Sequence, residues 1–539
     1  MRSDLVVRGG LVADGTGAPL RRADVLVRGD RIVLVGEVPD TDVPEVDAAG
    51  ALVAPGFINV LSQAYESLQR DPRGLSDLYQ GVTTEVFGEG YSLGPVEGRM
   101  RAIAKDYAER THVRHEWPRI NDFLNHMADA GVGPNVASFV GADNLRMAFA
   151  GQQDRPLTPD ELAAARRLLD EELADGALGL GSALIYAPGM YASTDELTAF
   201  AEVLAEHDAL YISHIRNESD SLLESLDELI GIAERSGARA EVYHLKAAGR
   251  DNWPLMASAI QRIEEARAGG LAVTANVYPY EAGATGLDAC VPPRFHDGGP
   301  DALRGKLAHE DFRETVKEAI RAPGADWDNC YKSAGGADGI LLLGGNTSEW
   351  NGMTLAQVAT RRGDADPLDT LLDIVVADSQ MIIALFEMTE ENVRLALRSP
   401  WVSVCSDAEA WTASPPYTDA PTHPRAYGSF ARVLGPYVRD GVLRIEDAVR
   451  RMTSLPARTL RLTDRGVIRE GAFADLAIFE PDRVRDLATY SHPHQYADGM
   501  RHVIINGVVA FRGGKPTDEL GGRALRRGTR PTTSGFRAR

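Results

Sequence analysis

ALYISHIRNESDSLLESLDELIGIAERSGARAEVYHLKAAG, residues 209–249, decides the fold. An apolar run, ALYIS, ends at His214. A stretch with Leu and Ile recurring every three or four positions follows, and a second apolar run, AEVY, ends at His244. Strand, amphipathic helix and parallel strand make one βα repeat. The two histidines are thirty residues apart, the length of that repeat, so both imidazoles are expected at the same end of neighbouring strands.

The rhythm extends both ways. Upstream, PNVASFVGA (134–142) precedes TPDELAAARRLLDEELADG (158–176), whose Thr158 and Glu161 have the spacing of a capping box. GALGLGSALIYAP (176–188) and the helix pattern of 195–208 come next. Downstream lie a helix pattern over about 253–268 and the strand-like LAVTANVYPYEAG (271–283). Residues 286–345, rich in Gly, Asp and Pro, break the rhythm and read as an insertion over the mouth of the sheet. Strands are expected to resume at GILLLGG (339–345), MIIALFEM (381–388) and WVSVCSDA (401–408). The pattern predicts an α/β fold, a (β/α)8 TIM-like barrel over 55–460.

The two ends read differently. Residues 1–54 hold short alternating runs with Gly-Asp and Asp-Gly reversals, and 461–520 hold similar ones, GAFADLAIFEP and HVIINGVVAFRGGKP. Paired, they would form one small sheet domain into which the barrel is inserted. The basic stretch RALRRGTRPTTSGFRAR, within 521–539, reads as a frayed tail.

Composition excludes several classes. A formal charge of −21 disfavours nucleic acid and anionic membrane surfaces as partners. The chain is 44% hydrophobic and 25% charged, and no uninterrupted apolar run approaches the length of a membrane span. The start, MRSDLVVRGG, lacks the apolar core of a signal peptide, so cytoplasmic residence is expected. Cys290, Cys330 and Cys405 lie far apart, which argues against disulfides and a thiolate zinc site.

Chemistry belongs at strand ends. Each histidine alone reads equally as a buried structural side chain; at equivalent strand ends, with Arg216 and Lys246 two residues on, the pair points to a metal. Asp407 closes VSVCSDA and is either a proton carrier or a capping aspartate. Glu89, between glycines in GVTTEVFGEGYS (81–92), is either a carboxylate ligand or a glutamate bonded to loop amides. Tyr186, in LIYAPG, is a pocket wall or a packed tyrosine.

Taken in order, these pieces resemble the D-aminoacylase (N-acyl-D-amino-acid deacylase) branch of the amidohydrolase superfamily. The likeness runs from DLVVRGGLVADGTGAP through PGFI, GVTTEVFGEG, GSALIYAPGMYAS, ISHIRNE, VYHLKAAG, NVYPYEAGATG, VCSDA, HPRAYGSFARVLG and MTSLPARTLRLTDRG to HPHQYADGMRHVIINGVVAFRGG. It implies a β-sandwich built from both termini, a barrel and an inserted subdomain. It also implies one tightly held Zn2+ on His214, His244 and a second-strand-loop residue that is usually Cys; with a one-residue gap, Glu89 falls there. The acid/base falls on Asp407, and substrate contacts on Lys246, Tyr278 and a carboxylate-binding Arg425, which could instead be a structural ion-pair residue.

Four positions depart from the family. Its His-x-His pair is Leu61 and Gln63, which should abolish a weaker second metal site, and the aspartate before it is Asn59. A histidine after the third strand is Ala142, and a carboxylate-binding serine is Ala284, beside Thr285. The expected activity is zinc-dependent hydrolysis of the amide of an N-acyl amino acid of the D series, with a small-molecule substrate carrying a carboxylate. Two alternatives stand: removal of an aminoacyl group from a specialised metabolite, and a metal-free binding scaffold.

Overall fold

The computed structural model describes residues 4–323, 326–346 and 349–528. Strands β1 (Leu5–Val12), β2 (Arg21–Arg28), β3 (Arg31–Gly36), β4 (Glu45–Asp47) and β5 (Leu52–Pro55) open the chain. The β2–β3 reversal falls at Gly29, at φ 61°, where the Gly-Asp signal put it.

The chain then lays down parallel strands: β6 (Phe57–Asn59), β7 (Val82–Phe87), β8 (Asn135–Ser138), β9 (Val140–Gly141), β10 (Gly179–Ala183), β11 (Leu210–His214), β12 (Arg239–Val242) and β13 (Val273–Val277). They pair in two parallel sets, β6-β7-β8 and β9 through β13, and β9 continues β8 after one residue. Helices return the chain between them. The helix Pro159–Ala174 carries the capping box of Thr158 and Glu161 and a proline in its first turn. The helix Leu222–Ser236 buries Leu222, Leu226, Leu229, Ile232 and Ala233 against the sheet and stops at Gly237, at φ 75°. Burying each of these leucine and isoleucine side chains stabilises the fold by about 1.5–3 kcal/mol. The strands' inner faces make a second core of Ile58, Val86, Phe139, Ile212, Tyr243 and Tyr278.

Between β13 and the next parallel strand the chain builds a separate layer. Strands β14 (Gly283–Gly286), β15 (Ile340–Gly344) and β16 (Ile382–Leu385) pair antiparallel in the order β14-β16-β15. Helices around them enclose their own core of Leu287, Leu303, Val316, Leu342, Leu371 and Ile383. GILLLGG and MIIALFEM are therefore not strands of the parallel sheet, as their apolar runs had suggested. Of the three expected strands only β17 (Val402–Val404) joins it, beside β13. An apolar run says that a strand is buried, not which partner buries it.

The end of β17 meets the end of β6. Asp407 N–H donates to Leu61 O at 2.9 Å and Gln63 N–H to Ala408 O at 3.0 Å. Asn59, where the family has aspartate, donates to Ser406 Oγ (2.7 Å) and Glu85 Oε2 (3.0 Å), and accepts the Ser406 N–H, lacing β6, β7 and β17 together.

Strands β18 (Leu476–Phe479), β19 (Met500–Ile505), β20 (Val508–Arg512) and β21 (Lys515–Pro516) return to the first five, β18 pairing with β5. The β19–β20 hairpin turns at Asn506-Gly507, both at positive φ, as a tight type I′ turn needs. Both chain ends join in one continuous nine-stranded sheet that encloses a core of its own, with Leu5, Val25, Ile32, Leu476 and Ile504. The start of the stretch expected to fray is ordered. Leu525 N–H donates to Val136 O (2.8 Å), and the Arg527 guanidinium donates to His207 O (2.6 Å) and Leu173 O (3.1 Å), so its basic residues serve backbone carbonyls. Residues 529–539 lie outside the described residues. Among the described residues no helix is long and apolar enough to cross a membrane.

Candidate active site

A cavity of about 910 Å³ opens where the parallel strands end. His214 is the last residue of β11. His244 lies two residues beyond β12 at φ 30°, its N–H held by Asn276 Oδ1 at 2.8 Å. Glu89 follows β7 between Gly88 and Gly90. A Cβ on Gly88 would fall 2.6 Å from Phe139 O, and one on Gly90 2.8 Å from Ala183 Cβ, so both glycines let the loop close in.

These three side chains converge. Glu89 Oε1 lies 2.9 Å from His244 Nε2 and 3.3 Å from His214 Nδ1. One ligand atom from each falls within 4.8 Å of the others. The rings meet edge to face at 4.4 Å. The set suits a first-row metal ion: two imidazoles and a carboxylate are a known catalytic zinc arrangement that leaves one position open.

Behind the imidazoles stands Glu218, which the sequence reading quoted in ISHIRNE but gave no role. Its Oε1 is 3.1 Å from His244 Nδ1, its Oε2 3.2 Å from His214 Nε2, and Lys246 Nζ donates to Oε2 at 2.6 Å. A carboxylate on the far nitrogen of a ligating histidine fixes the ring and its tautomer. Glu218 is itself anchored, its N–H donating to Asp328 Oδ2 at 2.7 Å. Its place four residues after His214 was the available signal.

Gln63, read from sequence only as a lost histidine, occupies the centre. Its Nε2 donates to Glu89 Oε2 at 2.7 Å and to Asp407 Oδ1 at 3.3 Å. Asp407 sits at φ 49° beyond β17, with Arg425 Nη1 at 2.9 Å from Oδ2. Arg425 begins the helix Arg425–Arg432, lies over the Tyr278 ring at 4.6 Å, and reaches Ala284 O at 3.4 Å. It is buried, yet among the described residues Nε and Nη1 have no aligned acceptor, so the guanidinium has donors to spare. Lys246 Nζ is 5.8 Å from the Tyr278 ring centre. Tyr186 bonds to Thr285 Oγ1 at 2.9 Å and stands edge-on to His214 at 5.6 Å. All eight residues singled out in the sequence line this one cavity. Ala142 instead starts the helix Ala142–Phe149.

The electrostatics follow from burial and pairing. Burial pushes Glu89 up, but hydrogen bonds from both histidines outweigh it and hold the carboxyl well below its usual range. Burial would lower His214, yet the charge and proximity of Glu218 push it up to about 10. Burial raises Asp407, partly offset by Arg425.

The Amidohydrolase family profile matches residues 373–511. The chain is 33% identical over 532 residues to an N-acyl-D-glutamate deacylase of Alcaligenes xylosoxydans xylosoxydans, covering 97% of this chain and 96% of that one. A D-aminoacylase of the same organism is 30% identical over 534 residues, 97% of this chain and 98% of its own. A crystal structure of N-acyl-D-glutamate deacylase from Bordetella bronchiseptica, with zinc and a phosphonate mimic of the tetrahedral intermediate, matches with TM-score 0.82 at 31% identity. It covers 98% of this chain and 100% of that one.

Proposed function

Because the chain belongs to the D-aminoacylase branch of the amidohydrolases, hydrolases of C–N bonds other than peptide bonds, we propose that it cleaves the amide of an N-acyl amino acid of the D series. The convergence of Glu89, His214 and His244, backed by Glu218 and tied through Gln63 to Asp407, carries this reading. Those three side chains would hold one zinc ion. A bound zinc supplies a Lewis acid that lowers the pKa of a neighbouring water and polarises the substrate carbonyl. The Gln63 amide takes the ground of a second ion, since it already spans Glu89 and Asp407.

The remaining roles belong to the chain. Arg425, with unsatisfied donors, receives both oxygens of the substrate carboxylate. Pairing there draws the guanidinium from Asp407 and frees Oδ2 as a base. Asp407 takes a proton from the attacking water and returns it to the nitrogen as the C–N bond breaks. Tyr278 or Lys246, both of which line the cavity, donates to the developing oxyanion. Tyr186, fixed by Thr285, walls the acyl pocket.

The same reading takes the parallel strands as a (β/α)8 barrel over 55–460, which the β17–β6 contacts support. The segment between β13 and β17 is its inserted subdomain, and 1–54 with 461–520 the companion domain. Three buried, unpaired cysteines agree with a reducing compartment such as the cytoplasm.

The test is metal analysis of the purified chain with amino-acid release from N-acetyl-D- and N-acetyl-L-amino acids. One zinc per chain and release from the D series are expected. No zinc, and no hydrolysis after zinc is added, would leave only a binding scaffold.

A further inference from the structure

We propose that the amino-acid portion of the substrate carries a cationic side chain, an ammonium or guanidinium, and that Glu387 receives it. This rests on the deacylase reading and adds the class of side chain to it.

Glu387 lies just past β16, on the inserted layer, and lines the cavity. It is only 7% exposed, yet among the described residues no hydrogen bond or ion pair reaches its carboxylate. A buried carboxylate without a partner is costly to keep, so its natural complement is a charged donor. Gly283 makes the room: a Cβ there would stand 2.8 Å from Glu387 Oε1. Lys246 is the cation that acts on it most strongly, but its ammonium is already bonded to Glu218 at 2.6 Å. Burial, eased in part by Lys246 and reinforced by Glu218 and Asp328, pushes the Glu387 carboxyl up to about 8.

The position relative to Arg425 sets what reaches it. Arg425 contacts the carbonyl of Ala284, and Glu387 packs against Gly283, the adjoining residue of β14. A substrate whose carboxylate sits on Arg425 therefore extends its side chain along this strand toward Glu387. An acidic side chain would meet Glu387, Glu218 and Asp328 together. An apolar one would leave the carboxylate buried and unpaired. A basic one pairs with it, so the chain departs from the relative named for N-acyl-D-glutamate.

The zinc-loaded full chain is assayed on the N-acetyl derivatives of lysine, ornithine, arginine, leucine and glutamate, of both hands, as wild type and as Glu387→Gln and Glu387→Lys. Wild type is expected to favour the basic substrates in kcat/KM by about a hundredfold over leucine. Glu387→Gln should erase that preference, mainly through KM for the basic substrates, and Glu387→Lys should turn it toward glutamate. Preference for neutral or acidic substrates in the wild type, or a basic preference that survives both variants, overturns the proposal. Calorimetric binding of free D-lysine and D-leucine separates the two readings. If nothing is hydrolysed the deacylase reading falls, and equal binding of the two amino acids then overturns this inference independently.

Discussion

The cavity has two sides of opposite character. On the side of the parallel strands, Glu89, Glu218, Lys246, Gln63 and Asp407 are each paired with a neighbour. On the side of the inserted layer, Glu387 is buried and, among the described residues, unpaired. A network satisfied within the protein holds its geometry before substrate arrives, as catalysis requires. A group left unsatisfied waits for something that the substrate brings. On the proposed function, one side sets the reaction and the other sets which molecule undergoes it.

The sharpest way to break this division is on the paired side. His244→Ala removes a metal donor and should cut kcat/KM by about 10⁴ or more while lowering zinc content. Metal analysis checks it: zinc should fall in this variant and stay at the wild-type level in Glu387→Gln. Asp407→Asn should keep the zinc and lose about 10²–10⁴ in kcat. Because burial raises Asp407, the acid limb of the wild-type kcat/KM profile should lie above the ordinary carboxylate range, activity falling as pH drops and Asp407 is protonated. The asparagine variant should lack that limb. Arg425→Lys keeps the charge but not the fork, and should raise KM by about 10–100-fold with a smaller change in kcat.

The unpaired side should also leave a trace in stability. Burial holds the Glu387 carboxyl up at about 8 in the fold, well above the ordinary glutamate range. Its folded pKa is raised, so its contribution to stability is complete below about 4.5 and is lost as pH rises through about 8. Glu387→Gln should therefore raise Tm by about 1–2 °C at pH 9, with the gap closing toward pH 4.5, as thermal denaturation across pH would show. A gap that is constant with pH would mean that the carboxylate is neutralised by the protein itself.

Much of this was legible in the sequence, for identifiable reasons. His214 and His244 stand at strand ends one βα repeat apart, so period and spacing alone put them at one mouth. Thr158 and Glu161 announce their helix because capping is a local interaction. The strands Ile340–Gly344 and Ile382–Leu385 misled because an apolar run is the same whether its partners are parallel or antiparallel. Glu218 and Gln63 escaped for another reason: their roles depend on residues brought together from distant strands, and no periodicity encodes that. Glu387 is the extreme case, since what marks it is the lack of a partner among the described residues.

The central claim is a single zinc ion among Glu89, His214 and His244. An anomalous difference map at the zinc edge, from crystals of the zinc-loaded chain, addresses it directly. One peak bounded by those three side chains, beside Asp407 and Gln63, is the expected result. A peak elsewhere, a second peak of equal height at Gln63, or none at all would contradict it.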